Sequence, residues 1–342
     1  MRLGAIALAL ALTTAACGDT DDIASSDPDP AVAGSGAFPV TVEHAFGETV
    51  IPDEPQRVVS VGYTEQDTLL ALDVVPVAVT DWYGDQPHAV WPWAQDELGD
   101  AEPEVLSLAD GFQFERIAAL DPDLIVGTNA GMDEAAYEQL SKIAPTIAHP
   151  DGAEAYFSRW DEQALLIGEA VGREGEASAL VDDVHEEFAD AAAAHPEFAG
   201  TSIVFLQNAF YDGEAIAYPD GLSTAFLTDL GFTIPSELAP FDRDGEGAQA
   251  YIPLEQLSVL DAGDVLLWAT EATGDRVALE AQPVYGALDA VKDGSLVFTD
   301  GVTAGAIYFT SILSLPFLLE HLVPALASTL AGEGPATIEA AS

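Results

Sequence analysis

The sequence predicts an α/β protein of two Rossmann-like lobes, each with a mainly parallel sheet, bridged by one long α-helix. Three observations predict it. Short β-branched apolar runs alternate with helix-spaced patterns. The same grammar occurs on both sides of the chain's middle. Between the two halves lies a helical run from Arg173 to His195. The length of 342 residues suits two lobes, and 49% apolar residues supply a core for each.

The chain opens with MRLGAIALALALTTAAC, residues 1–17. Arg2 gives a positive start, and Leu3 to Leu12 form an apolar run too short to span a bilayer. The stretch Thr14-Ala15-Ala16-Cys17-Gly18 resembles a bacterial lipobox, with Thr14 where leucine is usual. Cys17 is the only cysteine, so no intrachain disulfide is possible, and lipidation is its expected fate. Residues 18–37 are rich in Asp, Ser, Pro, Gly and Ala and read as a flexible tether. This order places the body on the extracytoplasmic face of a cell membrane, held there by lipid.

The first lobe is expected over residues 38–172. VTVEHAFGETVIP suggests a hairpin. Arg57–Val61, Val75–Val79, Leu124–Val126 and Thr146–Ala148 read as buried strands. Thr64–Leu72, Phe114–Leu120 and Asp133–Ile143 read as the helices between them. Phe157–Val171 keeps helical spacing through Trp160, Ala164, Ile167 and Val171, and Gly172 should end it. The interlobe helix is expected over residues 173–197. Ala177, Leu180, Val184 and Phe188 give it one apolar face, and Pro196 stops it. A single helix there would act as a stiff strut rather than a hinge. The second lobe is expected over residues 198–332, with strands at Ser202–Leu206, Val265–Trp268 and Leu296–Thr299. Its helices are expected at Leu222–Leu230, Pro253–Leu260, Val284–Ala290 and about Ser311 to Leu330. Residues 333–342 read as a tail.

Charge narrows the function. With 59 acidic and 9 basic side chains, the formal charge is −50. Such a field excludes nucleic acid as a partner and opposes an anionic membrane surface. Only two lysines are present, Lys142 and Lys292, a composition that suits a saline habitat where salt screens self-repulsion. No GxxxxGK phosphate loop, GxSxG elbow or HExxH occurs, and one cysteine cannot build a thiolate metal site.

Aromatic residues mark the candidate site. Tyr63, Trp82, Tyr83, Phe210, Tyr211 and Trp268 all fall at or just beyond the carboxyl ends of expected strands, where α/β sheets bind ligands. Asn129, Gln207 and Asn208 fall at comparable places.

Four segments then carry a resemblance. They are FGETVIPDEPQRVVSVGYTEQDTLLALDVVPVAV, FERIAALDPDLIVG, IGEAVGREGEASALVDDV and IPLEQLSVLDAGDVLLW. In this order they resemble the lipid-anchored substrate-binding proteins of ABC importers for ferric siderophores, haem and cobalamin. The resemblance runs from about Phe46 to the end of the terminal helix. It implies a periplasmic-binding-protein fold with a rigid interlobe helix, binding without catalysis, with no catalytic residue and no cofactor, and delivery to an ABC permease with its ATPase. A monomer is expected. In that family one glutamate on each lobe pairs with permease arginines. By position in FERIAAL and PLEQL these are Glu115 and Glu255.

The resemblance leaves the ligand open. Of the arginines in the body, Arg276 is the best cleft candidate and Arg243 the second. One arginine among several aromatics suits a neutral or cationic ferric hydroxamate, because aromatic faces attract cations. Haem or cobalamin is the alternative within the same importer class. A membrane-anchored sensor or a binder of free metal ions is the alternative of a different class. The expected cleft set is Tyr63, Trp82, Tyr83, Asn129, Gln207, Tyr211, Trp268 and Arg276, with no direct metal ligand.

Overall fold

The computed structural model describes residues 38–156, 158–243 and 248–339. The expected signal, Cys17 and the tether lie outside them. Strands β1 (Val40–His44) and β2 (Gly47–Ile51) form the expected antiparallel hairpin, with Val42 and Ile51 turned inward. Then come β3 (Val58–Ser60), α1 (Glu65–Ala71), β4 (Ala78–Asp81), α2 (Gln95–Leu98), β5 (Glu104–Ser107), α3 (Phe114–Ala119), β6 (Leu124–Val126), α4 (Glu134–Leu140) and β7 (Thr146–Ile147). Their five strands make one parallel sheet in the order β5-β4-β3-β6-β7. Every residue of β3 and β6 is buried, as covered parallel strands require.

Helices α5 (Trp160–Ala170) and α6 (Glu174–Ala194) follow. Gly172, at φ 71°, ends the first as expected, and Arg173 N–H closes back on Gly168 O at 2.7 Å. The two helices approach closely, because a Cβ on Gly168 would lie 2.3 Å from that of Ala177. Ala177, Val181, Val184 and Phe188 form the buried stripe of α6. Its 21 residues span roughly 31 Å at 1.5 Å each.

The second half contains β8 (Ile203–Tyr211), β9 (Glu214–Ala217), α7 (Ala225–Asp229), β10 (Ala250–Pro253), β11 (Val265–Ala269), α8 (Thr273–Glu280), α9 (Asp289–Asp293), β12 (Leu296–Phe298), α10 (Gly301–Tyr308), α11 (Ser314–Leu330) and β13 (Ala336–Thr337). The sheet order is β10-β9-β8-β11-β12-β13. It is parallel from β8 to β13, while β9 and β10 are added antiparallel by a hairpin.

Several expectations change here. The segment expected as a helix at Pro253–Leu260 is instead a 3-10 helix over Leu254–Ala262, and Leu222–Leu230 and Val284–Ala290 are partly 3-10. Helices α8 and α10 were not expected. The tail is not structureless, because β13 joins the sheet edge beside β12.

The main apolar cluster does not respect the midpoint of the chain. Leu70, Val90, Trp91, Trp93 and Leu98 from the first half share it with Phe309, Ile312, Leu315, Leu318 and Leu322 from the second. The site therefore sits on halves joined both by helix α6 and by a common core.

Candidate ligand-binding cleft

The wall from the first half is built on a buried acid. The Glu65 carboxylate accepts from Thr64 N–H at 3.0 Å and Asn129 N–H at 2.7 Å, tying the loop after β3 to the loop after β6. Asn129 Nδ2 donates to Thr64 Oγ1 at 3.2 Å in the same knot. Glycine is needed at position 62, since a Cβ would stand 2.1 Å from Glu65 Oε1. Burial pushes the Glu65 carboxyl up to about 7, against the hydrogen bonds it accepts. Tyr63 rides on this knot. Its ring stacks on Trp82 at 5.3 Å and on Tyr156 at 6.0 Å. Burial, with Tyr156 beside it, pushes its phenol up to about 12. Trp82 remains 38% exposed, so part of its indole is open to solvent.

The facing wall comes from the end of α10. Phe309 meets Trp82 edge-on at 4.2 Å and lies over Tyr83 at 5.8 Å. Tyr308 lies 6.4 Å from Tyr83 and reaches Ala269 O at 3.4 Å. Below them runs a polar chain. Gln207 Oε1 accepts from Tyr218 Oη at 2.9 Å and Gln249 Nε2 at 3.1 Å, and Gln249 Oε1 accepts from Tyr251 Oη at 2.7 Å. At Asn208 the pairing of β8 with β9 loses register, and the residue takes a left-handed φ of 47°. Its Oδ1 and the Tyr83 hydroxyl are buried without a hydrogen-bond partner among the described residues.

Among the residues expected from the sequence, Tyr63, Trp82, Tyr83 and Asn129 come together in this cleft. Gln207 holds the polar chain beneath it. Tyr211 stands 74% exposed at the tip of the β8–β9 hairpin. Trp268 is a correction. It is fully buried, packed edge-on against Phe210 at 5.7 Å and Tyr285 at 6.1 Å, because β11 is central and covered on both faces. Arg276 is a second correction. It pairs with Glu280 at 2.9 Å, donates to Thr337 Oγ1 at 3.1 Å and lies 4.6 Å over the Phe298 ring, so its charge is engaged at the sheet edge. Arg243 pairs with Glu214 and lies 4.7 Å over Tyr251. Glu115 and Glu255 are both exposed, each in the first turn of a short helix.

Sequence reasoning missed Tyr156, Tyr218, Tyr308 and Phe309. Asp300, which caps α10 by accepting from Thr303 N–H at 2.8 Å, was the local signal that could have found the last two. Among the described residues no group of three or more His, Cys, Asp or Glu is placed to hold a metal ion. A cavity of about 30 Å³ beside Trp160, His185 and Asp229 has room for little more than a water. The site is thus a cluster of aromatic rings, partly exposed at Trp82, together with neutral hydrogen-bonding groups, a chemistry suited to an organic ligand with a large apolar shell.

Comparison with known proteins gives a consistent picture. The profile described as periplasmic binding protein matches residues 58–303. The probable siderophore-binding lipoprotein YfiY of Bacillus subtilis is 29% identical over 283 residues, covering 78% of this chain and 83% of its own. The iron(3+)-hydroxamate-binding protein FhuD of the same organism is 26% identical over 353 residues, covering 95% and 98%. A crystal structure of a periplasmic solute binding protein from Mycobacterium smegmatis superposes with a TM-score of 0.80 at 46% identity, covering 85% of this chain and 98% of that one.

Proposed function

The chain belongs to the periplasmic binding protein family, and on that premise we propose that its cleft captures a neutral or cationic ferric hydroxamate. The protein is the extracytoplasmic binding component of an iron–siderophore ABC importer, serving a permease and its ATPase. Its work is capture and delivery, as in its family.

The observation that carries the ligand class is a set of aromatic walls with no unpaired arginine beside them among the described residues. Tyr63, Trp82, Tyr83 and Phe309 form the walls. Of the described arginines, Arg57 is held on the carbonyls of Leu120 and Asp121, Arg116, Arg159, Arg173 and Arg276 are on carboxylates, and Arg243, over Tyr251 of the polar chain, is paired with Glu214. An anionic catecholate would have to compete with Glu214 for Arg243 to gain a charge-assisted partner. A hydroxamate shell would find apolar ring faces and neutral hydrogen-bonding groups.

Titration of tryptophan fluorescence is the direct test. A ferric trihydroxamate should quench it saturably, with Trp82→Ala weakening binding by about 1–3 kcal/mol, as loss of a buried contact aromatic does. Tighter binding of a catecholate would reject the ligand class. Saturable binding of haem or cobalamin alone would replace the ligand and leave the importer class standing.

Two further assignments rest on sequence position. Glu115 and Glu255, both exposed, are the docking acids for the permease. Cys17 is the lipid attachment point, and Cys17→Ser should release the protein to the medium; a wild type found unlipidated by mass spectrometry would reject the anchor.

A further inference from the structure

We propose that Glu65 is a positioning residue for ligand capture: as an anion it locks the loop after β3 to the loop after β6, and its protonation loosens the wall that carries Tyr63, so that affinity for a ferric chelate falls as the medium turns acid. This rests on the ferric-chelate function above and adds a pH response to that same site.

Glu65 is buried without a cation. Only 1% of the residue is exposed, and no ion pair reaches it among the described residues. A carboxylate so placed is costly unless hydrogen bonds hold it. Backbone amides do so here. Thr64 N–H donates to Oε2 at 3.0 Å and Asn129 N–H to Oε1 at 2.7 Å, and the N–H groups of Thr128 and of Glu65 itself also favour the charge. The two oxygens thus take donors from two different loops. An ionised carboxylate only accepts, whereas a protonated one turns a donor toward these donors. Gly62 packs so close that a Cβ there would stand 2.1 Å from Oε1, which leaves the carboxyl little room to turn away.

The ligand-facing ring depends on this lock. Tyr63 N–H donates to Asn129 O at 3.3 Å, and Asn129 Nδ2 donates to Thr64 Oγ1 at 3.2 Å. Gln163 of α5 closes the knot by accepting from Thr64 Oγ1 at 3.2 Å and Thr128 Oγ1 at 3.3 Å. Tyr63 therefore stands against Trp82 and Tyr156 as long as the two loops stay joined. The other ionisable groups about the knot are Tyr63 and Tyr156 in the wall, Asp81 at the end of β4, which acts on Tyr63, and Asp67 on α1; none is a cation. With burial holding the Glu65 carboxyl near 7, the lock is poised at neutrality. A chelate that needs the joined loops favours the anion, so affinity is complete above that value and is lost as pH falls below it.

The probe is an N-acetylated linear ferric trihydroxamate, which carries no free amine to titrate, followed by tryptophan quenching. Its dissociation constant with the wild type should rise by about tenfold from pH 8 to pH 5.5. Glu65→Gln, which imitates the protonated acid, should bind at the weak acid value of the wild type throughout that range. Asp67→Asn removes the other acid of α1 held above its ordinary range and should leave the wild-type slope as it is. Calorimetry near pH 6.5 in buffers of different ionisation enthalpy needs no variant: the wild type should release part of a proton on binding. That measurement and Asp67→Asn decide the matter should Glu65→Gln not fold. Wild-type affinity that does not vary with pH, a slope that survives in Glu65→Gln or vanishes in Asp67→Asn, or binding without proton release overturns this inference alone. Failure of the chelate to bind at any pH overturns the ferric-hydroxamate function and this inference with it.

Discussion

At Asp67 the two halves of the chain meet on a single buried oxygen. Its Oδ2 accepts from Trp93 Nε1 at 2.7 Å and from Ser311 Oγ at 2.5 Å, while Oδ1 has no partner among the described residues. Ser311 in turn is bonded to Ser314, whose Oγ donates to Phe309 O at 2.6 Å, so the acid is three links from the cleft wall. Only 1% of Asp67 is exposed, and burial pushes its carboxyl up to about 6 from 3.8, against the pull of its two donors. A carboxyl raised on folding contributes stability that is complete below its unfolded value and is lost as pH rises through the folded one. Between about pH 4 and 7 the buried acid should therefore cost the wild type a few kcal/mol. Asp67→Asn, which imitates the protonated form, should gain on the wild type in Tm as pH goes from 4.5 to 8. A difference that does not vary with pH would show that Asp67 stays in one protonation state. The polar knots at Asp67 and Glu65 were not legible in the sequence. Among 59 acids, nothing in the spacing separates a buried carboxylate from a solvated one.

Helix α10 shows a different kind of illegibility. Its eight residues, GVTAGAIY, have no polar face, and so give no 3.6-residue period to read. Helix α6, polar on three sides and apolar on one, was plain. The reason for the small residues of α10 lies in packing: a Cβ on Gly305 would come within 2.4 Å of Trp91 Cζ3. Alanine is favoured over glycine inside a helix by about 1 kcal/mol, yet Gly305→Ala should destabilise the protein by about 1–3 kcal/mol through overpacking. Gly274, in the first turn of α8, has nothing within 4 Å of its Cβ position, and Gly274→Ala should be neutral or stabilising. Urea denaturation of the two variants checks the contrast; equal effects would mean that Trp91 moves aside without cost. Trp268 teaches the complementary lesson. A strand-end aromatic reads as a cleft residue only if one face of its strand is open, and β11, flanked by β8 and β12, has neither face open.

Over the whole molecule, the alternation of strands and helices and the bridging helix were legible, because each repeats a period over many residues. The common core between the halves was not, because it depends on which loops meet. That core and α6 together favour small relative motion on binding. Delivery must then be read from the outer surface. Reversing Glu115 and Glu255 to Lys changes a formal charge of −50 only to −46, so the overall field survives. The ligand dissociation constant should stay within a few-fold while uptake is abolished, since like charges across an interface repel strongly. Normal uptake by the double variant would reject both docking assignments. The contact of Trp82 with Phe309 bears on how copies of the protein meet as colloidal particles. An aromatic groove left gaping would be a sticky patch, and salt that screens the repulsion between copies would expose them to association through it. Phe309, edge-on to Trp82 at 4.2 Å, covers part of the indole, so dispersal in salt does not depend on charge alone.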